Sequence, residues 1–548
     1  MSGFITTVWG FQVSSLFCNI VLSSSALTHC DGTPVIDARL TEWSRRTFLK
    51  GSAALGATSL VGRPAVSAPR PLPTTWDETR DVIIVGSGFA GLAAAIEAQA
   101  LGADTLILEK MPKAGGNSAI NGGMLVATGC PQQVKLGIDD SPALLAKNML
   151  DAGLQMSQPE KVAFVANHAL ANYEWTVNVL GVTYNEKFIG QEGGHSVPRY
   201  VVTKNGTGAD IVTKMLDKVV QLGADIRCAT YVEHLFRDNE GRIVGVQVRE
   251  GWQFPDKDTG VTKTIRAKKG IVLCYGGFAS DVRYRERQDP KLTKAIDTTN
   301  QPGATAELWR ETSRIGCAQV HNDWIQCTPW NHPDEIGMGL GWTFSQSGAA
   351  EYGLWVSTSG KRFVNELANR KVCSDAIFAQ EAHGFSAFAL CNEPNLQAYR
   401  ASHPDVLEDL LRRGIVKVYP MLTDVAEALK IPASMLRDTV DRFNEAVVNK
   451  HDPDFNRSFN RVQAPLIQGP WYVAQMSPKV HGCMGGLVTD LQCRVLDIST
   501  SLPIPGLYAA GEATSGVHGA VRLGACATLD CLVNGRTAGR EVAIRAPT

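Results

Sequence analysis

Among its 13 cysteines the sequence has no CxxC pair and no CxxCH motif. A CxxCH motif attaches c-type haem, and a CxxC pair is typical of zinc or thiol-redox sites, so the sequence offers haem no attachment motif. A disulfide framework is not expected in a chain of 548 residues. We predict that most cysteines are small buried apolar side chains, with an iron–sulfur cluster built from scattered thiolates as the alternative.

Charge of one sign is not in excess either. The 53 Lys and Arg residues face 54 Asp and Glu residues, which gives a formal net charge of −1. Proteins that bind nucleic acid or an anionic membrane by electrostatic attraction need an excess of basic residues, so we expect neither as a partner. A hydrophobic content of 44% and a charged content of 20% are typical of a globular chain with a large core.

Long hydrophobic runs are missing from the region before the first motif. The run from Gly51 to Val61 is too short to cross a bilayer of about 30 Å at about 1.5 Å per residue. The run follows SRRTFLK (44–50), and the small residues Val66-Ser67-Ala68 come after it. This order is typical of a cleavable signal of the twin-arginine route. We predict that residues 1–68 are this signal with an N-terminal extension, residues 1–40, to which no role is assigned. The predicted location is the periplasm or the outer face of the cytoplasmic membrane, and an ordinary basic patch is the alternative.

A dinucleotide-binding pattern begins after the Pro-rich linker. The apolar run Asp81–Val85 is followed by Gly86, Gly88 and Gly91 in GxGxxG spacing, an Ala-rich helical segment, and a second strand-like run that ends at Glu109. The glycines allow a tight turn, a close approach of the backbone to a pyrophosphate, and close packing of helix on strand. The helix N-terminus attracts the phosphates, and an acid at this distance binds ribose hydroxyls.

Two further blocks carry a family resemblance. KMPKAGGNSAINGGMLVATGCP (110–131) and LYAAGEATSGVHGAVRLGACATLD (507–530) resemble the fumarate reductase/succinate dehydrogenase flavoprotein family, in particular its soluble branch of flavocytochrome c fumarate reductases and urocanate reductases. Shorter matches cover most of the chain between them. They are GGHSVPR (193–199), GGF (276–278), TTNQPGAT (298–305), GKRFVNE (360–366) and HGCMGG (481–486).

The resemblance implies an α/β fold in which a Rossmann-like FAD-binding domain, residues 78–322 and 480–548, is split by an inserted α+β capping domain, residues 323–479. It also implies noncovalent FAD, no metal in the site, and, since no haem motif is present, a separate cytochrome or quinol-linked protein as electron donor. The residues expected to contact FAD are Gly86, Gly88, Ala90, Gly91, Glu109, Lys110, Gly116, Asn117, Ser118, Gly122, Gly123, Val232, Gly276, Glu512, Ala527 and Thr528.

Three residues match the family's catalytic positions. The resemblance implies that Arg370 donates a proton to the substrate, and that His481 and Arg522 bind the substrate carboxylate, the arginine as a bidentate clamp. The alternatives are an ion pair of Arg370 with Glu366, a histidine of the core, and an arginine in a structural ion pair. His518 lies close by in sequence and is equally consistent with a structural role.

The proton relay of the relatives is not in register here. The positions that match its glutamate and second arginine hold Gln346 and Ala349, and Glu351 is one candidate substitute. The route that returns a proton to Arg370 is therefore open at this stage.

The substrate end also differs from a fumarate site. The stretch IQCTPWNHP places Thr328 where fumarate reductases place a histidine on the second carboxylate, and a shifted alignment would offer His332 instead. Because threonine cannot supply a positive charge, fumarate is disfavoured. Trp330 and Tyr352, with other aromatic residues between 324 and 355, favour an aromatic or cyclic tail, unless they pack the core of the cap.

The sequence therefore predicts an exported FAD-dependent oxidoreductase that acts on CH–CH groups. The favoured reaction reduces an activated C=C bond in a small unsaturated carboxylate, a urocanate-like or cinnamate-like enoate, as a step of anaerobic respiration. The alternatives are a 3-ketosteroid-type dehydrogenase or steroid-enone reductase, a fumarate reductase, and a flavoprotein without catalysis.

Overall fold

The structure is a computed structural model that describes residues 70–546, apart from positions 257, 460 and 463. The predictions for residues 1–68 and 1–40 lie outside the described residues. Both predicted domains, the cofactor domain and the cap, fall within one unit, Ser67–Thr548. The division into 78–322, 323–479 and 480–548 stays a prediction.

Eighteen strands are present in the described residues. They are β1 (Glu78–Val85), β2 (Thr105–Leu108), β3 (Met124–Val126), β4 (Tyr200–Val202), β5 (Asp225–Arg227), β6 (Thr230–Arg237), β7 (Ile243–Glu250), β8 (Val261–Leu273), β9 (Gln319–Val320), β10 (Ile325–Thr328), β11 (Leu354–Ser357), β12 (Ala387–Asn392), β13 (Val416–Tyr419), β14 (Trp471–Met476), β15 (Lys479–Cys483), β16 (Gly486–Leu487), β17 (Arg494–Leu496) and β18 (Pro503–Ala509).

Sixteen α-helices accompany them in the same part of the chain. They are α1 (Phe89–Ala100), α2 (Gly116–Ile120), α3 (Pro131–Leu136), α4 (Pro142–Ala152), α5 (Pro159–Asn167), α6 (Ala169–Asn178), α7 (Ala209–Leu222), α8 (Val282–Gln288), α9 (Glu307–Arg314), α10 (Gly341–Thr343), α11 (Arg370–Ala382), α12 (Glu393–Ser402), α13 (Val406–Arg412), α14 (Leu422–Leu429), α15 (Ala433–Asn449) and α16 (Cys526–Ala543). A π-helical segment spans Phe344–Ala350, and a 3₁₀ turn spans Gly511–Ala513.

The largest sheet carries the GxGxxG turn. Its order is β17-β18-β8-β1-β2-β5, and the β6–β7 hairpin joins β8 at the side. The pairs β1–β2, β1–β8, β2–β5 and β8–β18 are parallel. Val82, Ile83 and Ile84 of β1 are fully buried, as expected for a central parallel strand that is covered on both faces. The strand predicted at 81–85 is thus confirmed as part of β1.

A second sheet lies in the segment between 323 and 479. Its order is β11-β12-β14-β13, and all its pairs are antiparallel. Residues 424–450 have apolar side chains at helical spacing and lie mostly in α14 and α15, with Pro432 at the N-cap of α15. Proline is tolerated there because the first turn of a helix needs no backbone donor, so it separates the two helices.

Three junctions bring the predicted catalytic residues to one place. β10 pairs with β15 in antiparallel register, with Gln326 opposite Gly482, next to His481. α11 begins at Arg370, because the Asn369 side chain caps it by accepting a hydrogen bond from Val372 N at 3.0 Å. The backbone N–H of Arg522 donates to Gln326 Oε1 at 2.8 Å, which ties the loop before α16 to β10.

Candidate active site

The turn after β1 leaves no room for side chains. Gly86 has φ of 103°, and a Cβ there would overlap the carbonyl oxygen of Cys274. Gly91 lies on α1 so close to the turn that a Cβ would overlap the carbonyl oxygen of Gly86. The tight turn and the close helix packing predicted from these glycines are therefore present, and the N-terminus of α1 opens toward a cavity.

This cavity and its opening to solvent together comprise about 900 Å³ of space between protein atoms. Eleven of the predicted cofactor residues line it: Gly86, Gly88, Ala90, Glu109, Lys110, Gly116, Asn117, Ser118, Val232, Gly276 and Glu512. The other five are not among its lining residues. Gly91 packs α1 on the turn, Gly122 and Gly123 follow α2, and Ala527 and Thr528 stand in the first turn of α16.

The polar side chains of the cavity are held in fixed positions. Glu109 accepts hydrogen bonds from Ser87 Oγ at 2.6 Å and from the backbone N–H of Met111 at 2.8 Å. Lys110 Nζ donates to Thr305 Oγ1 at 2.6 Å, and Ser118 Oγ accepts from the backbone N–H of Phe89 at 2.9 Å. A carboxylate at the end of β2 can accept hydrogen bonds from ribose hydroxyls, and the helix N-terminus at the end of β1 can donate hydrogen bonds to a pyrophosphate.

Glu512 faces the far end of the same cavity. Its Oε1 accepts a hydrogen bond from the backbone N–H of Cys483 at 3.0 Å, and a Cβ on Gly277 would lie 2.5 Å from this oxygen. Burial raises the pKa of the Glu512 carboxyl above its usual range. The cradle around the cavity thus fits an FAD molecule, with glycine where the walls approach most closely.

Arg370 is one wall of the adjoining site. Its Nη2 forms an ion pair with Glu192 Oε2 at 2.8 Å, and its guanidinium carbon lies 5.1 Å from the ring centre of Trp330. The alternative of an ion pair with Glu366 is wrong, because Glu366 pairs with Arg362 and Arg457, each at 2.9 Å. The guanidinium of Arg370 is therefore available to the site and not to the core of the cap.

Arg522 and His481 share this place with Arg370. Burial and the nearby Arg370 lower the pKa of Arg522 to about 10, which still leaves it charged at neutral pH. Burial, followed by the charges of Arg370 and Arg522, holds the pKa of His481 well below its usual value. The Nδ1 atom of His481 lies 2.8 Å from Thr299 Oγ1. The three predicted catalytic residues thus form one cluster, in which the histidine is neutral.

The predicted substrate wall is brought together only in part. Thr328 is fully buried and its hydroxyl has no hydrogen-bond partner within the described protein, whereas Trp330 stacks on Arg370. His332 lies elsewhere, with its ring near Asp334 and with burial lowering its pKa. Tyr352 hydrogen-bonds Arg461 near Glu351.

The aromatic residues of this region mostly pack the core. Phe344 and Trp355 are fully buried in one apolar cluster, against which Trp342 packs, and Trp324 stacks on His321 with ring centres 3.6 Å apart. Of the two interpretations that the sequence leaves open, packing in the core therefore applies to Trp342 and Trp355. Trp330 is the one whose contact with Arg370 places it at the site.

Sequence reasoning missed Glu192 and Gln326. Glu192 immediately precedes GGHSVPR, and its position beside a matched motif was the available signal. Gln326 accepts from the backbone of Arg522, and its Nε2 has no hydrogen-bond partner within the described protein. His518, by contrast, pairs with Asp530 at 3.0 Å, which gives it a structural contact.

The described residues also give findings on the cysteines, on metal binding and on membrane-spanning helices. Nine of the eleven described cysteines are buried and all eleven are free, which confirms the prediction that most are small core side chains. In the same residues no group of three or more His, Cys, Asp or Glu side chains is placed to hold a metal ion. None of the helices between residues 70 and 546 has both the length and the apolarity needed to cross a membrane.

Comparison with known proteins gives the following matches. The FAD binding domain family matches residues 81–528, and the signal sequence of the twin-arginine translocation pathway matches residues 44–62. The acrylate reductase flavoprotein subunit of Shewanella woodyi is 35% identical over 500 residues, 90% of this chain and 97% of that protein. The urocanate reductase of Eggerthella lenta is 31% identical over 484 residues, 84% of this chain and 74% of that protein.

A solved structure extends the comparison to three dimensions. The open conformation of a flavocytochrome c3 fumarate reductase has a TM-score of 0.69 to this chain at 27% identity, and the match covers 92% of this chain and 81% of that one. The similarity therefore includes both the parallel sheet with its cofactor cavity and the segment between 323 and 479.

Proposed function

The chain belongs to the FAD binding domain family, and from that premise we propose that it reduces the C=C bond of a small unsaturated monocarboxylate. Membership confirms the predictions of an α/β fold, of FAD as the cofactor and of an oxidoreductase. The match at residues 44–62 confirms the predicted twin-arginine export signal. The substrate, the roles of single residues and the electron donor are the content of the proposal.

The charge balance beside the cofactor cavity carries the proposal. Arg370 and Arg522 bring two positive charges, Glu192 brings one negative charge, and His481 is neutral. Counted over these four residues, the net charge is +1 before substrate enters. A monocarboxylate neutralises it, whereas a dicarboxylate would leave an uncompensated negative charge in a desolvated place, which costs several kcal/mol.

The neutral side chains fit the same conclusion. The hydroxyl of Thr328 and the Nε2 of Gln326 are buried without partners in the described protein, so they offer hydrogen bonds but no positive charge to the rest of the substrate. Trp330 offers a flat face next to Arg370. These groups favour an enoate with an aromatic or cyclic tail, such as urocanate or a cinnamate, and the two relatives named above are called acrylate and urocanate reductases, both after monocarboxylates.

In this proposal each of the three residues Arg522, His481 and Arg370 has one task. Arg522 and His481 bind the carboxylate, and their donors stabilise the negative charge that develops on it as the double bond is attacked. Arg370 delivers a proton to one carbon of the double bond. The reduced FAD supplies the hydride for the other carbon. The segment 323–479 is proposed to act as a cap that excludes water from these residues.

Two other functions fit less well. A steroid enone is uncharged, so the positive charge that Glu192 leaves unbalanced between Arg370 and Arg522 would stay without a counter-ion. Fumarate carries two carboxylates, and one of them would face Glu192. We propose noncovalent binding of FAD and a separate cytochrome or quinol-linked electron donor, which is supported by a relative that is named a flavoprotein subunit.

The test is turnover by the exported, FAD-loaded protein under anaerobic conditions. Reduced methyl viologen supplies electrons, and its oxidation is followed with urocanate, cinnamates, acrylate, fumarate and a steroid enone. We expect oxidation by a monocarboxylate and a loss of about 10²- to 10⁴-fold in Arg370→Ala, because general acid catalysis contributes that much.

The matched control is Arg442→Ala, which removes an exposed arginine that pairs with Asp454 at 2.5 Å. It is expected to keep wild-type turnover. Fumarate as the best substrate, or an Arg370→Ala variant as active as the control, would contradict the proposal.

A further inference from the structure

The two ring nitrogens of His481 have different surroundings. Its Nδ1 atom lies 2.8 Å from Thr299 Oγ1, whereas its Nε2 atom makes no hydrogen bond within the described protein. In the proposed function His481 and Arg522 bind the substrate carboxylate, so Nε2 is the ring nitrogen that remains to contact it. A neutral imidazole carries a hydrogen on only one nitrogen, and the position of this hydrogen therefore decides whether His481 can donate to a carboxylate.

The segment that carries Thr299 is fixed along β15. The backbone N–H of Thr299 and the hydroxyl of Thr298 both donate to the carbonyl oxygen of Val480, each at 2.9 Å. Asn300 Nδ2 donates to the carbonyl oxygen of His481, also at 2.9 Å. Thr299 is buried. These three hydrogen bonds hold its hydroxyl beside the imidazole and away from water.

The same segment continues to the wall of the cofactor cavity. The backbone N–H of Gln301 donates to Asn117 Oδ1 at 2.8 Å, and Asn117 Nδ2 donates to Asn300 Oδ1 at 2.5 Å. Gln301 and Asn117 both line the cavity. A substitution that displaced this segment should therefore also change the binding of FAD, which gives structural disturbance a readout of its own.

The hydrogen bonds open to Thr299 and His481 can be counted. A hydroxyl carries one hydrogen, a neutral imidazole carries one on its ring nitrogens, and a carboxylate only accepts. With the ring hydrogen on Nδ1, the threonine hydrogen has no acceptor in the described protein and the lone pair of Nε2 faces the carboxylate. With the ring hydrogen on Nε2, the hydroxyl donates to Nδ1 and Nε2 donates to the carboxylate, so both hydrogens find an acceptor.

A third arrangement, an imidazolium that donates from both nitrogens, is disfavoured by the surroundings. Burial, followed by the positive charges of Arg370 and Arg522, keeps the pKa of His481 well below its usual value. The choice is therefore between the two neutral tautomers, and only the tautomer with hydrogen on Nε2 satisfies the threonine, the imidazole and the carboxylate together.

We propose that Thr299 is a positioning residue that fixes the tautomer of His481: its hydroxyl donates to Nδ1, so that the hydrogen on Nε2 is donated to the substrate carboxylate. The inference rests on the proposed function, in which His481 binds that carboxylate. Thr299 acts through the imidazole, and the hydrogen bond from Nε2 stabilises the negative charge that develops on the carboxylate during reduction.

The first test removes the hydroxyl. Thr299→Val keeps the shape of the side chain, and Thr299→Ser keeps the hydroxyl. Turnover of the FAD-loaded protein is followed by oxidation of reduced methyl viologen, with whichever of urocanate, cinnamate and acrylate the wild type reduces best. We expect kcat/KM to fall about 10- to 100-fold in Thr299→Val, because a buried polar atom is left unsatisfied, and to stay within about threefold of wild type in Thr299→Ser.

The matched control is Thr439→Val on α15. It removes a hydroxyl that donates to the carbonyl oxygen of Gly360 at 2.6 Å, away from the imidazole. This variant is expected to keep wild-type turnover. FAD content should equal that of wild type in Thr299→Val as well, since the proposed loss concerns the tautomer and not the position of the segment.

A second background separates positioning from a structural role. If Thr299 acts through the imidazole, its hydroxyl has no effect once the imidazole is absent. His481→Ala and the double variant His481→Ala/Thr299→Val should therefore have equal kcat/KM. A structural role would lower kcat/KM by the same factor with and without the imidazole.

The tautomer itself can be read by ¹⁵N NMR of the FAD-loaded protein with labelled histidine, because protonated and unprotonated ring nitrogens differ in chemical shift. The signals of His481 are those that disappear in His481→Ala. The probe is 3-phenylpropanoate, the saturated product of cinnamate. We expect the hydrogen on Nε2 in wild type and in Thr299→Ser, and a changed Nδ1 shift in Thr299→Val.

Three results would overturn the inference. They are a ring hydrogen on Nδ1 of His481 in the wild-type protein, a wild-type kcat/KM in Thr299→Val, and an equal loss from Thr299→Val with and without the imidazole. A wild-type protein that reduces no enoate would instead refute the proposed function. The NMR measurement would still decide the tautomer in that case, so the two failures are distinguishable.

Discussion

Replacing Glu192 with glutamine removes the carboxylate that faces Arg370 and leaves the shape of the side chain nearly unchanged. In the wild-type protein this carboxylate lies 2.8 Å from Arg370. A second substrate carboxylate that contacts Arg370 from the opposite side would stand roughly 6 Å from it. At an effective dielectric constant of about 20 the repulsion between the two anions is about 3 kcal/mol.

That repulsion sets the size of the expected change. Since 1.4 kcal/mol corresponds to a factor of ten, Glu192→Gln should improve the binding of fumarate relative to a monocarboxylate by 10- to 100-fold, with the lower figure applying if water screens the pair. The variant is expected to lower kcat for both substrates, because the ion pair with Glu192 positions the guanidinium of Arg370. The ratio of the two kcat/KM values cancels that shared loss.

The assay is dye oxidation by the FAD-loaded protein, with fumarate and the best monocarboxylate measured side by side. Glu192→Asp, which keeps the charge, should retain the wild-type preference. A selectivity ratio that stays within twofold of wild type in Glu192→Gln, or that moves away from fumarate, would refute the charge-balance argument.

Two further outcomes follow from the structure. His195 is buried, and burial lowers its pKa from 6.5 to about 4. The neutral imidazole therefore contributes its full stabilisation above pH 6.5, and about 3 kcal/mol of the free energy of unfolding is lost as pH falls toward 4. Unfolding midpoints measured across this range should show a smaller loss in His195→Gln. Gly86→Ala places a Cβ against the backbone of Cys274 at φ of 103° and should reduce the amount of FAD that remains bound after purification. The control is Gly102→Ala, whose Cβ at φ of 81° meets no neighbouring atom, and it should keep the wild-type FAD content. Equal FAD content in both variants would contradict the role of the turn.

The cofactor half could be predicted from the sequence because its chemistry is local. Gly86, Gly88 and Glu109 act through a turn, a helix N-terminus and a strand end that lie within one βαβ unit. The positions of such residues follow from their spacing, and eleven of the sixteen predicted contacts line the cavity. The other five do not line it, and Gly91, for example, packs α1 against the turn, a distinction that spacing does not contain.

The substrate half depends on pairings between distant segments. Glu192 meets Arg370 across 178 residues, and Gln326 meets Arg522 across 196. No local pattern indicates which of the chain's acids will reach a given arginine, so Glu192 was missed, and the pairing of Arg370 with Glu366 remained an open alternative. The place of Trp342 and Trp355 stayed open for a related reason, because composition alone does not distinguish a tryptophan of the core from one of the site.

In the proposed function Glu192 and Thr328 act on the same quantity, the positive charge that is left for substrate. Glu192 lies 2.8 Å from Arg370 and neutralises it, so that Arg522 keeps the unbalanced positive charge among these residues. Thr328 stands where fumarate reductases place a histidine, and a hydroxyl adds no positive charge for a second carboxylate. The proposed preference for one carboxylate over two therefore depends on the ion pair and on Thr328 together, and Glu192→Gln changes only the first of them.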